Sequence, residues 1–433
     1  MSMPVHLDPT KRHDFIFLFD VENSNPNGDP DAGNMPRVDP ETMQGFTTDV
    51  STKRKIRDYL QLTHGIPMFI QSETALNRLI FDAAVQAGAA IPNVIMGDSK
   101  EDKILIELFK QKEEIENLDI DDNTVNYIGE SFKKAEIGNA LKIKTIGLTD
   151  SEIEEVCGVL AESDDVEFKE KPKKKDIEDA LKSLAERLFN SVNNKKGKLD
   201  KADKDNARIK MIETYFDVRM FGAVLSTGLN AGQVRGPVQI TFSKSLHPIY
   251  RMDCGITRKA VTKEVDRKRK ENEMGRKPVV SYGLYRGFGF YSPYLAKKES
   301  KKDLVNDNLY VTSDDLSNLW ESLEKGFDND HSASRHIRLR GIYIFTHNNP
   351  RGNAPSHRLF EMLSVKLNDK LTKEERIPSE FTDYNIGFTS KELKLGSSTV
   401  STLSAESLNG RSIPENSVVF TKLYDESRED CEL

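Results

Sequence analysis

The chain has 433 residues, 70 acidic against 63 basic side chains for a net charge of −7, and three cysteines, Cys157, Cys254 and Cys431. Such a length favours roughly two or three domains with cores large enough to stand without disulfides, and three cysteines with no CxxC pair exclude a disulfide framework and a zinc knuckle. The longest apolar runs, such as 15–19, are far short of the roughly 20 residues of a membrane span, so no membrane partner is expected and a reducing cytoplasm is the expected location.

The predicted elements, in chain order, begin with a strand. Lys11, Arg12 and His13 before the run 15–19 mimic a signal sequence, but Asp20 ends the run too early for one. That run is continuously aromatic and aliphatic, which suits a central strand buried on both faces and ending by Asn23. Pro26, Pro30, Pro36 and Pro40 then fall among Gly28, Gly33 and several Asn and Asp, a composition that forbids regular structure and calls for a fixed loop. Asp49 reads as the N-cap of a helix with Ile56, Tyr59 and Leu60 on one side and Lys53, Arg54 and Arg57 clustered on the adjacent face.

From about 65 to 205 the pattern is helical and polar and reads as an inserted lobe. Ile153, Val156, Cys157 and Leu160 form one stripe at helical spacing, and Ile177, Leu181, Leu184 and Leu188 a second. Between them, 167–176 carries Lys171, Pro172 and further lysines and reads as an exposed linker. The spacing of Ile212, Phe216 and Met220 predicts a helix over 209–225 ending at Gly228. Val238, Ile240 and Phe242 alternate with polar residues as in a half-buried strand. Residues 251–277 are too charged for a core element and read as a protruding hairpin or arm. Strand character returns at 282–291 and 337–345, with a helix around Trp320 between them. The sum is an α+β sandwich of one sheet and a few helices.

Charge is distributed unevenly along this order. Residues 101–200 hold 25 acidic against 17 basic side chains, a balance of −8 that leaves the remainder at +1, and 251–286 carries 11 basic against 5 acidic. The field at a site depends on the charges near it, so the negative total does not exclude an anionic partner.

Candidate chemistry is sparse. Residues 23–28 superficially match the start of a calcium loop, but the first position is Asn, two prolines interrupt it and the twelfth position is Asn34 in place of Glu, so no metal is expected. The eight histidines are scattered without a partnered acid or base. Arg286-Gly287-Phe288-Gly289-Phe290 fits the first five positions of the aromatic RNA-stacking signature, after which Tyr291 and Pro293 depart from it; a glycine-relieved strand with core aromatics accounts for it equally well. The cations Lys53, Arg54 and Arg57 behind the Asn-rich loop point more firmly to phosphate binding. Gln233 and Arg235 belong with them: Gly232 and Gly236 let backbone come close, Gln hydrogen-bonds ribose or base, and Arg forks onto phosphate.

Six motifs carry a family resemblance. NPNGDPDAGNMPRVD, TDVSTKRKIRDYLQL, YFDVRMFGAVLSTG, AGQVRGPVQITFSKSLHPI, MGRKPVVSYGLYR and GNAPSHRLFEML, spread in the same order over about 13–80 and 206–367, resemble the backbone subunit of type I-C Cascade, the CRISPR surveillance complex. The resemblance implies an α+β fold with an RNA-recognition-motif-like (ferredoxin-like) palm, an inserted helical fingers lobe and a protruding thumb hairpin. On this sequence the parts map to a tail at 1–12, palm at 13–64, fingers with an acidic extension at 65–205, palm again at 206–250, a basic thumb at 251–281, the completed palm at 282–375 and a C-terminal extension at 376–433.

For function the resemblance implies RNA-guided DNA targeting with no catalysis, metal or cofactor in this subunit. Copies stack head to tail along one CRISPR RNA, other Cascade subunits cap the RNA ends, target DNA is met through the guide, and a separately recruited nuclease-helicase cuts it. A guide holder must accept any sequence, so it grips phosphate and ribose and leaves base edges free. The expected RNA contacts are Asn25, Asn27, Arg37, Lys53, Arg54, Arg57, Gln233, Arg235, Arg258, Arg276, Lys277 and Arg286. The alternative is a guide-directed ribonuclease, as in type III backbone subunits that cut bound RNA with an Asp in the corresponding loop, here Asp29 or Asp31. Two stretches depart from the family pattern. The acidic run 101–200 is longer than the fingers require, and 376–433, with hydroxyl-rich 397–404 and strand-like 417–423, has no counterpart in it.

Overall fold

The apolar run near the N-terminus becomes the strand His13–Ser24, in which Phe15, Ile16, Phe17, Leu18 and Phe19 are at most 1% exposed. Alternation along a strand sends odd and even positions to opposite faces, and here both faces are covered. Phe15 meets Trp320 edge-on at 5.0 Å, and Phe19 stacks on Phe327 at 5.0 Å and Tyr285 at 5.2 Å, so the odd face is sealed by the helix Ser313–Asn329. On the even face Ile16 and Leu18 join a second core with Tyr343, Phe345, Phe360 and Phe420.

The computed structural model describes residues 3–425 apart from 90, 111–114, 116–117, 122–123, 129–132, 143–145, 147–148, 163–171, 192–199, 228, 259–272, 300–301, 375, 389–391, 396–397 and 409–410. Its architecture is mixed α+β, and it divides into two compact units. The first comprises Met1–Met68, Arg219–Phe221 and Arg235–Leu433. Its ten-stranded sheet runs Glu392–Leu395, Ser398–Ser404, Ser417–Asp425, Ile337–His347, His13–Ser24, Glu273–Tyr291, Ser243–Pro248, Gln44–Thr47, and Val238–Ile240 and Arg251–Arg258 also pair with the long strand Glu273–Tyr291. Every one of these pairings is antiparallel except that of Ser398–Ser404 with Ser417–Asp425.

Several sequence expectations are corrected in this unit. The loop after the first strand is not wholly irregular: Gly28–Asp29 pairs with Met35–Pro36, and Gln44–Thr47 joins the large sheet. The helix Asp49–His64 is capped by Thr48, whose Oγ1 accepts the Ser51 amide at 3.3 Å, and not by Asp49, which lies inside the first turn. The strand predicted over 282–291 starts at Glu273, because Arg251–Arg258 pairs with its first part, Asp253 opposite Pro278 and Ile256 opposite Gly275, while 259–272 lies outside the described residues. The hydroxyl-rich and strand-like C-terminal segments are sheet members, with Val418, Val419 and Phe420 at most 4% exposed and paired to the central strand Ile337–His347. Ser397 lies outside the described residues.

The second unit comprises Phe69–Val218 and Gly222–Val234. Both stripes read from the sequence are buried, Ile153, Val156, Cys157 and Leu160 in the helix Asp150–Glu162 and Ile177, Leu181, Leu184 and Leu188 in the helix Lys174–Ser191. That second helix begins inside the stretch read as a linker, and 167–171 lies outside the described residues. A three-stranded sheet of Asn93–Ile95, Thr124–Tyr127 and Leu118–Asp121, absent from the helical reading, lies among the helices. The single helix expected over 209–225 is instead Lys201–Thr214, then Phe216–Phe221, then the strand Gly222–Leu225. Tyr215 breaks it in extended conformation, and Asp217 uses both carboxylate oxygens to accept the Phe69 and Ile70 amides at 2.8 and 3.0 Å. Gly228, its expected end, lies outside the described residues.

Candidate nucleic-acid interface

Asn and Gly give the loop after the first strand its shape. Asn23 and Asn34 take left-handed backbone at φ 46° and 62°, which Asn tolerates better than other side chains. Asn25 Nδ2 donates to the Asn34 carbonyl at 2.7 Å, and Asn27 Oδ1 accepts both the amide and the hydroxyl of Thr48 at 3.0 Å. Asn27 thus ties the loop to the N-terminus of the helix Asp49–His64, where unpaired amides favour an anion. At Gly28 a Cβ would fall 1.9 Å from Asn34 Oδ1, so only glycine fits there.

Loop and helix together line a polar cleft of about 540 Å³. Four expected contacts, Asn25, Asn27, Arg37 and Arg54, converge on it, with Thr48 and Ser51 from the helix start. Two of its polar atoms, Asn25 Oδ1 and Arg37 Nε, are buried with no hydrogen-bond partner, an arrangement that costs free energy until a ligand or water supplies one. Arg37 approaches Asp29 at 3.5 Å, and Arg54 is 79% exposed beside Asp58 at 3.2 Å. Lys55 and Arg335 also line the cleft, and both are held by Asp330, Arg335 at 2.7 Å. Burial pulls the Lys55 ammonium below its ordinary value against the pull of Asp330. Burial alone would raise Asp330, yet Lys55 and Arg335 hold it below the usual carboxylate range. Four cations, Arg37, Arg54, Lys55 and Arg335, thus meet three carboxylates, Asp29, Asp58 and Asp330, a positive excess of one charge.

The remaining expected contacts are dispersed. Lys53 and Arg57 turn toward Phe221, 5.7 and 5.6 Å from its ring centre, with Lys53 also 2.8 Å from Asp49. On the hairpin Arg276 is 81% exposed and 3.1 Å from Asp253, and Lys277 is half-buried opposite Cys254. Arg258 pairs through its backbone with Glu273, and its side chain lies outside what the structure describes. Gln233 and Arg235 are exposed on the strand Gly232–Arg235, Gln233 within the second unit. Arg286 lies in a different cleft, over Phe288 at 5.3 Å.

The profile of the family described as CRISPR-associated protein Cas7 matches residues 11–125 and 160–389, most of the chain. The chain belongs to the Cas7 family. A CRISPR-associated protein Cas7 from Haloferax volcanii is 50% identical over 50 residues, a stretch that is 12% of this chain and spans only 15% of that relative. Among solved structures, a chain of a "CRISPR RNA-guided surveillance complex, pre-nicking" is 15% identical with a TM-score of 0.37, covering 77% of this chain and 78% of that one. A second "CRISPR RNA-guided surveillance complex" chain is 13% identical with a TM-score of 0.32 at 77% and 75% coverage. The assignment rests on the family profile.

Sequence reasoning missed Lys55, Arg335 and Arg251, whose Nη1 donates to the Pro36 carbonyl at 3.5 Å. Lys55 carried a local signal, since it sits within the basic run of the helix. Arg335 carried none, because it reaches the loop across more than 280 residues of sequence, where the Asn25 amide donates to the Ser334 carbonyl at 2.9 Å. Of the loop acids, Asp29 is engaged, its side chain accepting the Asp31 amide at 3.2 Å and facing Arg37, while Asp31 is exposed. Among the described residues, no cluster of three His, Cys, Asp or Glu side chains could hold a metal ion, and no helix is long and apolar enough to cross a membrane.

Proposed function

We propose that the chain is the guide-RNA-binding backbone subunit of a type I-C Cascade complex, non-catalytic and assembled head to tail along one CRISPR RNA. The convergence of Asn25, Asn27, Arg37 and Arg54 with Lys55 and Arg335 on one positive cleft with two unpartnered buried polar atoms carries this reading. Cations and a helix start hold phosphate, and amide groups hold ribose, contacts that any sequence offers. In this reading the first unit's sheet is the RNA-recognition-motif-like palm, the second unit supplies the fingers, and the hairpin of Arg251–Arg258 with the start of Glu273–Tyr291 is the thumb. Arg276 and Lys277 on that hairpin, with Gln233, Arg235, Lys53 and Arg57, serve the same strand of RNA. Target DNA, other Cascade subunits and a recruited nuclease-helicase are the further partners.

The test is RNA loading by the full chain across a salt series. Arg54→Ala and Arg335→Ala should each weaken loading regardless of guide sequence and flatten the logarithmic salt slope by about 0.7 per lost phosphate contact. Loading unchanged in both variants overturns the cleft assignment. The ribonuclease alternative would show magnesium-dependent cutting of complementary RNA that Asp31→Ala or Asp29→Ala abolishes.

A further inference from the structure

The second cleft of the first unit, about 590 Å³, lies on the sheet face that carries the Arg286-Gly287-Phe288-Gly289-Phe290 segment. The two glycines turn inward: a Cβ on Gly287 would sit 2.2 Å from Phe17 and one on Gly289 2.0 Å from Phe15. Arg286, Phe288 and Phe290 therefore share the other face. Phe288 stacks on Phe360 at 4.7 Å and carries the Arg286 guanidinium 5.3 Å from its ring centre, and both Phe288 and Phe290 remain half-buried rather than sealed.

The Arg286 side chain has no hydrogen-bond or ion-pair partner among the described residues, and burial pulls its guanidinium below the ordinary value. Exposed Lys366 lines the far wall, whereas Lys244, paired opposite Arg286 in the sheet, lies outside the lining and faces Asp39 at 3.9 Å. Glu361 is the carboxylate in the lining, and Arg358 holds it at 3.5 Å. The cleft thus offers rings, a guanidinium plane and the positive charges of Arg286 and Lys366. A single-stranded polynucleotide fits all three, base on guanidinium and ring, phosphate on Lys366. An acidic peptide would use only the charge.

We propose that this cleft binds a nucleotide of single-stranded nucleic acid other than the guide. The proposal rests on the guide-binding reading only in assigning the guide to the loop cleft, with which this one shares no residue, and it removes Arg286 from the guide contacts expected from the sequence. The experiment is ultraviolet crosslinking of an oligothymidylate carrying 5-iodouracil to the full chain, with and without loaded guide RNA, followed by peptide mapping. Crosslinks at Phe288 or Phe290 are expected, persisting when guide is bound. Affinity for the probe should fall about tenfold in Arg286→Gln and severalfold in Lys366→Gln, with guide loading unchanged in Lys366→Gln. Crosslinks confined to the loop cleft, wild-type probe affinity in Lys366→Gln, or equal displacement by polyglutamate would each overturn it. Should Arg286→Gln fail to fold, the crosslink position and Lys366→Gln still decide. Failure of the wild type to load guide would sink the guide-binding reading alone, because the crosslink on the unloaded chain scores this cleft separately.

Discussion

His13 is fully buried, its Nε2–H donating to the Asp8 carbonyl at 2.9 Å and its Nδ1 accepting the Thr346 hydroxyl at 3.0 Å. Burial pulls it from 6.5 to about 4. The unfolded chain therefore binds the extra proton between those values, so stability is full above about pH 6.5 and falls as pH drops toward 4, by roughly 3 kcal/mol for this group. Urea unfolding at pH 7 and pH 4.5 should show that loss, and His13→Gln should flatten it; an unchanged slope refutes the assignment. Gly289 makes a second residue-scale case. A methyl there would press on the Phe15 ring, so Gly289→Ala should cost about 1–3 kcal/mol in urea unfolding. The sequence left this segment between a glycine-relieved strand and a base-stacking one, and the close approach of Gly287 and Gly289 to Phe17 and Phe15 is common to both. It could not name Arg335 as a cleft residue, since nothing local marks a side chain brought in by a segment this distant in sequence.

At the scale of elements, periodicity read well wherever a segment buried one stripe. The two helical stripes of the second unit and the strands at the first apolar run and 337–345 all appear in the structure. It failed where polar residues were held by tertiary partners. Tyr215 and Asp217 end a stretch whose spacing looks helical throughout, because the Asp217 carboxylate is taken by backbone amides 147 and 148 positions away. The C-terminal strand Ser417–Asp425 is the clearest element-scale prediction. Truncation after Asn416 strips Ile337–His347 of a partner and exposes a long apolar edge, so the product should aggregate, whereas truncation after Asp425 should stay soluble. Sedimentation of the two lysates separates these outcomes, and a soluble, cooperative Asn416 truncation would contradict the sheet order.

For the whole molecule, the proposed guide binding would make RNA length the ruler of assembly. Light scattering on complexes with RNAs of increasing length should give masses that climb in steps of one chain, and a fixed mass at every length would count against a head-to-tail row. Composition and local pattern by themselves determined that the chain builds mixed α+β structure, that its first apolar run is a central strand, and that a rigid Asn-rich loop precedes a basic helix. Those properties depend on residues within a turn or two of one another. Only the tertiary structure decided that Arg54 faces the loop while Lys53 and Arg57 lie against Phe221, that Arg335 completes the cleft, and that the C-terminal strand belongs to the sheet. Each of these is a contact between segments distant in sequence, fixed by packing and strand pairing that no local window of residues encodes.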